Sequence, residues 1–205
     1  MARPSRSQDQ KLVDTARAML PQTGISGLSL RSVAQKAGVN LGMFHYHFKS
    51  KDAFVRRLLQ ETYENFFVTF SEAAQVGQSP IARLRSVLVA FAIFARDHRT
   101  FYALLARELL NEQPQCKKFV SDNFPRHSSI LISLIKECKQ QGLVRDLPVP
   151  VLAAFAMTSM GVPNILVAAL ERNKTRTIAG FPLQVILDDK MIKARADMVI
   201  KGMAP

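Results

Sequence analysis

Residues 28–52 read LSLRSVAQKAGVNLGMFHYHFKSKD, two short helical patterns around a glycine. Ser29 is placed as an N-cap, because a serine hydroxyl accepts from the free N–H groups of the first helical turn. Leu30, Val33, Ala34 and Ala37 recur at helical spacing and give that helix one buried face. Gly38 stands where the helix must end, since glycine takes left-handed backbone angles without penalty. Val39 fills the angle between the helices and Asn40 caps the second, over Leu41–Phe48, which is aromatic and carries no acid. Two short helices joined by a glycine-containing turn are the pattern of a helix-turn-helix, whose second helix enters the major groove of DNA.

Outward from this stretch the chain reads as helix after helix. Before it, residues 8–22 put Leu12, Ala16, Met19 and Leu20 on one stripe, and Gln22–Gly27 is a loop. Met1–Ser7, with Arg3, Pro4 and Arg6, is an exposed basic arm. After it, Ser50 caps a long fourth helix to about Val76, and Ala53, Phe54, Leu58, Leu59, Thr62, Phe66, Phe67 and Phe70 form its apolar run. Gly77-Gln78-Ser79-Pro80 ends that run and starts the next helix, with Ser79 as cap and Pro80 at the first helical position. Further helices are expected over 81–97, 100–111, 115–141 (with a kink or break at Pro125), 148–173 and 184–202. No strand alternation and no internal repeat is visible. The fold class is all-α, nine or ten helices.

Charge points to the same end of the chain. The 205 residues carry a net charge of +12. Residues 1–60 hold ten Lys/Arg against three Asp, which is +7, and the other 145 residues hold only +5. Such a concentration is the electrostatic footprint of a phosphate-binding surface. Two cysteines, Cys116 and Cys138, are too few and too far apart for a disulfide scaffold or zinc site and read as reduced core thiols. No signal-peptide pattern opens the chain, and the expected location is cytoplasmic. Residues 147–170 contain no charged side chain, long enough to span a bilayer. Pro148, Pro150 and Pro163, with Thr158, Ser159 and Asn164, favour instead a helix buried between its own core and a subunit partner, with no membrane.

The residues Val33-Ala34, Ala37-Gly38-Val39-Asn40, Gly42-Met43-Phe44 and His47-Phe48-Lys49-Ser50-Lys51-Asp52 resemble the DNA-binding domain of TetR-family transcriptional repressors. The resemblance covers roughly Thr15–Leu58, and beyond Gln75 it is architectural only. One departure is His45, where the family usually has tyrosine; here Tyr46 follows one step later. The resemblance implies an N-terminal three-helix DNA-binding domain, residues 1–52, and a C-terminal helical ligand-sensing and dimerisation domain, residues 53–205. It implies a homodimer on a palindromic operator in double-stranded DNA, released by a small apolar effector. By the same resemblance Asn40, Leu41, Met43, His45, Tyr46 and Lys51 map to family contact positions.

Read chemically, Leu41 and Met43 can meet thymine methyls, and Tyr46 or His45 can bond base edges or phosphates. Gly42 permits close backbone approach, Lys49 lies on an exposed surface, and Ser29 and Lys51 suit phosphates at helix starts. Phe44 and Phe48, spaced i and i+4, anchor the helix to its core, and His47 is the structural histidine of the pair. In the second domain Phe91, Phe94, Tyr102, Phe119, Phe155, Met157 and Met160 offer an apolar pocket lining, with Phe101 beside them; the same residues would serve any helical core. No catalytic motif, metal cluster or cofactor loop is found, so neither an enzyme nor a cofactor is expected. The rival reading is a helical adaptor whose basic end binds an acidic partner or a membrane surface.

Overall fold

A computed structural model describes residues 5–205. Among them are ten helices: α1 (Ser5–Thr23), α2 (Leu30–Ala37), α3 (Leu41–Phe48), α4 (Lys51–Ala73), α5 (Pro80–Asp97), α6 (Arg99–Leu110), α7 (Pro114–Gln140), α8 (Val149–Arg172), α9 (Gln184–Leu187) and α10 (Asp189–Met203). The basic arm expected at Met1–Ser7 lies outside the described residues, apart from the backbone of its last three, which begin α1.

Contacts divide the chain into two compact units, one holding residues up to Glu64 with Leu104–Asp122, the other Asn65–Ala103 with Asn123–Pro205. The limits of these units fall within α4, α6 and α7. In the first unit α1, α2 and α3 pack on one another around Leu12, Val13, Ala16, Val33, Ala34 and Phe44. Phe54 and Leu58 of α4 are fully buried there. The α6–α7 segment adds Leu104, Cys116 and Phe119, with Phe119 edge-on to Tyr63 at 6.0 Å. Glu108 is buried, bonded by Arg107 at 2.8 Å. Gly24, at φ 68, closes α1 against this pair: a Cβ there would stand 2.5 Å from Arg107 Nη2.

In the second unit α5 packs against both α8 and α10, and α10 against α8. Leu84, Val87, Leu88, Met160, Ile192, Ala196 and Val199 fill the centre. Guanidinium forks tie the helices: Arg85 grips Asp197 of α10 at 2.5 and 3.0 Å, and Arg99 grips Glu171 of α8 at 2.8 and 3.2 Å. The Arg85 hydrogen bond holds the Asp197 carboxyl below its usual range. Cys116 and Cys138 are buried free thiols, pushed up to about 11 by burial, and so unreactive near neutrality.

Three expected boundaries change. The last helix does not run unbroken over 184–202; Asp188 turns extended (φ −62, ψ 139) and caps α10, accepting from Lys190 N at 2.8 Å. α7 is not broken at Pro125, which is solvent-facing, as is Ser121, whose carbonyl loses its helical donor. The loop after α8, where no strand was expected, holds a two-residue antiparallel pair, β1 (Thr177–Ile178) and β2 (Phe181–Pro182). Its turn uses positive φ at Ala179 (48) and Gly180 (84), as tight hairpins require.

α8 carries an unpartnered apolar stripe. Val151, Phe155, Val162 and Leu166 follow one helical face, each about half exposed, and Met191 and Met198 do the same on α10. α8 is also long and apolar enough to cross a membrane, with 28% of its apolar window buried.

Candidate nucleic-acid interface

Local chemistry sets the angle between α2 and α3. Ser29 Oγ accepts from Ser32 N at 3.4 Å and starts α2; Gly38, at φ 65 and ψ 32, ends it with its N–H on the helix carbonyls. Asn40 Oδ1 then accepts from Gly42 N at 2.7 Å and starts α3. Two caps and one left-handed glycine thus fix the whole turn.

α3 is anchored by rings. Phe44 is fully buried and Phe48 nearly so, and each meets Phe54 of α4 at 4.8 Å between centroids; Phe44 and Phe48 are 5.2 Å apart. With that face held inward, helical geometry of ~100° per residue sends Leu41, Gly42, His45 and Tyr46 outward in one arc of about 140°, and Lys49 follows at the end of the helix. All five are exposed, Tyr46 by 74%. Met43 and His47 are half-buried on the flank of the arc. The buried His47 Nε2 has no hydrogen-bond partner among the described residues, and the imidazole lines a recess of about 280 Å³ with Asp9, Phe48, Lys49, Ala53 and Arg57.

Lys49 ends α3 at φ 54, donating its N–H to His45 O at 3.1 Å. A non-glycine residue in that region is strained by about 1–3 kcal/mol, and such strain gathers at functional sites. Ser50 Oγ caps α4, accepting from Ala53 N at 3.1 Å. Lys51 donates from Nζ to the Ser26 carbonyl at 2.9 Å, tying the start of α4 to the α1–α2 loop and leaving two ammonium protons for other acceptors. Sequence reasoning missed this tie, because no local pattern links residues 26 and 51. Lys51→Ala is expected to weaken binding to every DNA sequence alike and to lower the salt slope by about one, read from anisotropy titrations at several ionic strengths. Tyr46→Ala is expected instead to change which sequences bind, at roughly 1–3 kcal/mol per lost base contact.

The second unit gathers some of the expected pocket residues and separates others. Phe66, Phe91, Phe94 and Tyr102 form one ring cluster, with Phe66–Phe94 at 5.2 Å, Phe66–Phe91 at 6.1 Å and Phe94–Tyr102 at 6.2 Å. His127 joins it at 5.3 Å from Phe66, a neighbour that the sequence reading did not name. Met160 is fully buried and Met157 half-buried on α8. Phe155 lies on the exposed stripe, where a Cβ on Gly202 would stand 3.3 Å from its ring. Phe119 belongs to the first unit, on Tyr63.

Burial lowers His127 to about 4, with the Arg126 charge adding to the shift and a backbone hydrogen bond at Asn123 opposing it. The unfolded chain then binds the proton more tightly than the folded one, so stability falls as pH drops from about 6.5 toward 4. The slope is at most about 1.4 kcal/mol per pH unit. His127→Phe is expected to flatten this part of the acid limb in thermal melts taken between pH 4 and 7.

A buried-face helix, a left-handed glycine turn and an outward arc on an acid-free second helix define a helix-turn-helix, the unit of DNA-binding transcriptional regulators. Residues 12–58 match the family model of bacterial regulatory proteins, tetR family, which covers the helix-turn-helix and the helices on either side of it. The relative named "Probable HTH-type transcriptional regulator YttP", of Bacillus subtilis, is 27% identical over 146 residues, 70% of each chain. The ketosteroid transcriptional regulator KstR2 of Mycobacterium tuberculosis shares the fold, with TM-score 0.71 and 19% identity over 96% of this chain and 95% of that one. FadR of Bacillus subtilis, solved in complex with stearoyl-CoA, does so with TM-score 0.72 and 15% identity over 95% of this chain and 98% of that one.

Proposed function

We propose that the protein is a cytoplasmic homodimeric repressor that holds a palindromic operator and leaves it when a small, largely apolar molecule enters the second unit. The outward arc of α3 supports the DNA half of this reading most directly. On this reading residues 1–52 form the DNA-binding domain and residues 53–205 sense the effector and dimerise. Catalysis plays no part. The apolar stripe of α8 and α10 is the surface for the second copy, and it argues for a dimer more than for a membrane, because α8 already packs on α5 and α10.

The route from effector to DNA runs along α4. It is one helix from Lys51, beside the α3 arc, to Ala73, and it carries Phe66 and Phe70 near its far end. A ligand that fits better with α4 tilted changes the spacing of the two reading heads. Moving the population from mostly bound to mostly released takes a preference of about 10⁴-fold, or ~5.5 kcal/mol. Burying an aromatic-sized apolar molecule supplies energy of that order at roughly 25 cal/mol per Å². Thermal-shift screening of a diverse library, followed by operator-release assays, tests this reading. Compounds that raise the melting temperature and lower operator affinity are the expected hits. Compounds that bind but leave operator affinity untouched would refute the tilt while sparing the pocket. Flotation with lipid vesicles tests the surface reading: the protein is expected to stay unbound.

A further inference from the structure

Asn164 of α8 is fully buried. Its Nδ2 donates to the Met160 carbonyl at 2.9 Å, which fixes the orientation of the amide, and its Oδ1 is buried without a donor among the described residues. A buried acceptor left unmatched is costly, and native proteins keep few of them. Gly161 lies three residues earlier, on the same face of α8. The Phe91 ring rests against it: a Cβ there would stand 3.1 Å from two ring atoms. Phe91 belongs to the ring cluster of Phe66, Phe94 and Tyr102. Asn164 therefore shares the side of α8 on which Gly161 meets the Phe91 ring.

We infer that Asn164 is the polar anchor of the effector site, and that the effector is an uncharged, ring-bearing molecule presenting a hydroxyl or N–H group to Asn164 Oδ1. The inference rests on the reading of the protein as effector-responsive. The helix that carries Asn164 offers a ligand no counter-charge. α8 has no ionisable side chain before Glu171. Arg99 grips Glu171, Arg126 lies over the Phe67 ring at 4.1 Å, and Arg195 of α10 donates from Nη1 to the Ile186 carbonyl at 3.3 Å, its Nε and Nη2 buried without a partner among the described residues. His127 is neutral at physiological pH, its burial holding it near 4. The rings supply stacking and apolar area; Asn164 selects for a donor.

Three probe sets, tested on the full chain by thermal shift and operator release, decide the matter. The first holds 1-naphthol and indole, the second their O- and N-methylated forms, the third 1-naphthoate and dodecanoate. The donor probes are expected to bind about five- to tenfold more tightly than their methylated forms, the worth of one net hydrogen bond. Asn164→Leu is expected to erase that preference and to raise the melting temperature without any probe, because the unmatched acceptor is gone; Asn164→Met serves if the leucine variant does not fold. Equal binding of donor and methylated probes to the unmodified protein would overturn the anchor, whatever the variants do. Binding and operator release by the anionic set alone would overturn the class of effector while leaving the effector reading intact. Silence from all three sets would remove both.

Discussion

Phe44→Ala is expected to cost about 3–5 kcal/mol of stability, the usual price of removing a fully buried phenylalanine. Domains of this size hold only about 5–15 kcal/mol in all. The loss falls on the three-ring cluster of Phe44, Phe48 and Phe54, which orients α3 on α4. DNA binding should therefore disappear even where α8 and α10 remain folded. Urea unfolding followed by circular dichroism, beside anisotropy on labelled duplex, checks both effects. Phe44→Leu, which keeps most of the volume, should cost under about 1.5 kcal/mol and retain binding. An alanine variant that unfolds at the wild-type denaturant concentration would show that the rings do not hold the helix.

The second large effect concerns assembly. Leu166→Asp puts a carboxylate at the C-terminal end of the exposed stripe that runs from Val151 to Leu166. If this stripe is the dimer face, a charge there meets desolvation without a partner and the dimer dissociates. Each freed monomer keeps one reading head. Losing the linkage between two heads removes the gain from bivalency, so operator affinity should drop at least about a hundredfold. Light scattering should report a wild-type dimer and a variant monomer at micromolar concentration, with unchanged helicity. A wild-type protein that is monomeric at that concentration would contradict the assignment of the stripe.

The helix-turn-helix was legible because its determinants are local. Ser29, Gly38 and Asn40 act within four residues of themselves: the Ser29 and Asn40 side chains take the caps, and the Gly38 backbone takes the left-handed turn. The inward rings were legible from i, i+4 spacing, which leaves only one outward arc on so short a helix. What lay beyond local pattern was less visible. Lys51 meets Ser26 across 25 residues, and Glu108 meets the Gly24 turn across a gap no periodicity spans. Phe119 and Phe155 look alike in sequence, as rings on helical stripes. One is buried on Tyr63 and the other faces outward over Gly202, a difference set by tertiary packing. Of the two outcomes expected at Pro125, a break is not the one taken: α7 runs through it, with the Ser121 carbonyl freed on an exposed face where water can reach it. The cap at Asp188 was readable in principle: an acid followed by Asp189 at a first turn is a helix start.

Selection from a random-sequence duplex pool, followed by footprinting of the enriched sequence, tests the central claim most directly. The account predicts one enriched sequence with two half-sites in two-fold symmetry, about one or more helical turns apart, its preference altered by Tyr46→Ala and its salt dependence by Lys51→Ala. An unenriched pool, bound equally well by the protein and by both variants, would contradict it.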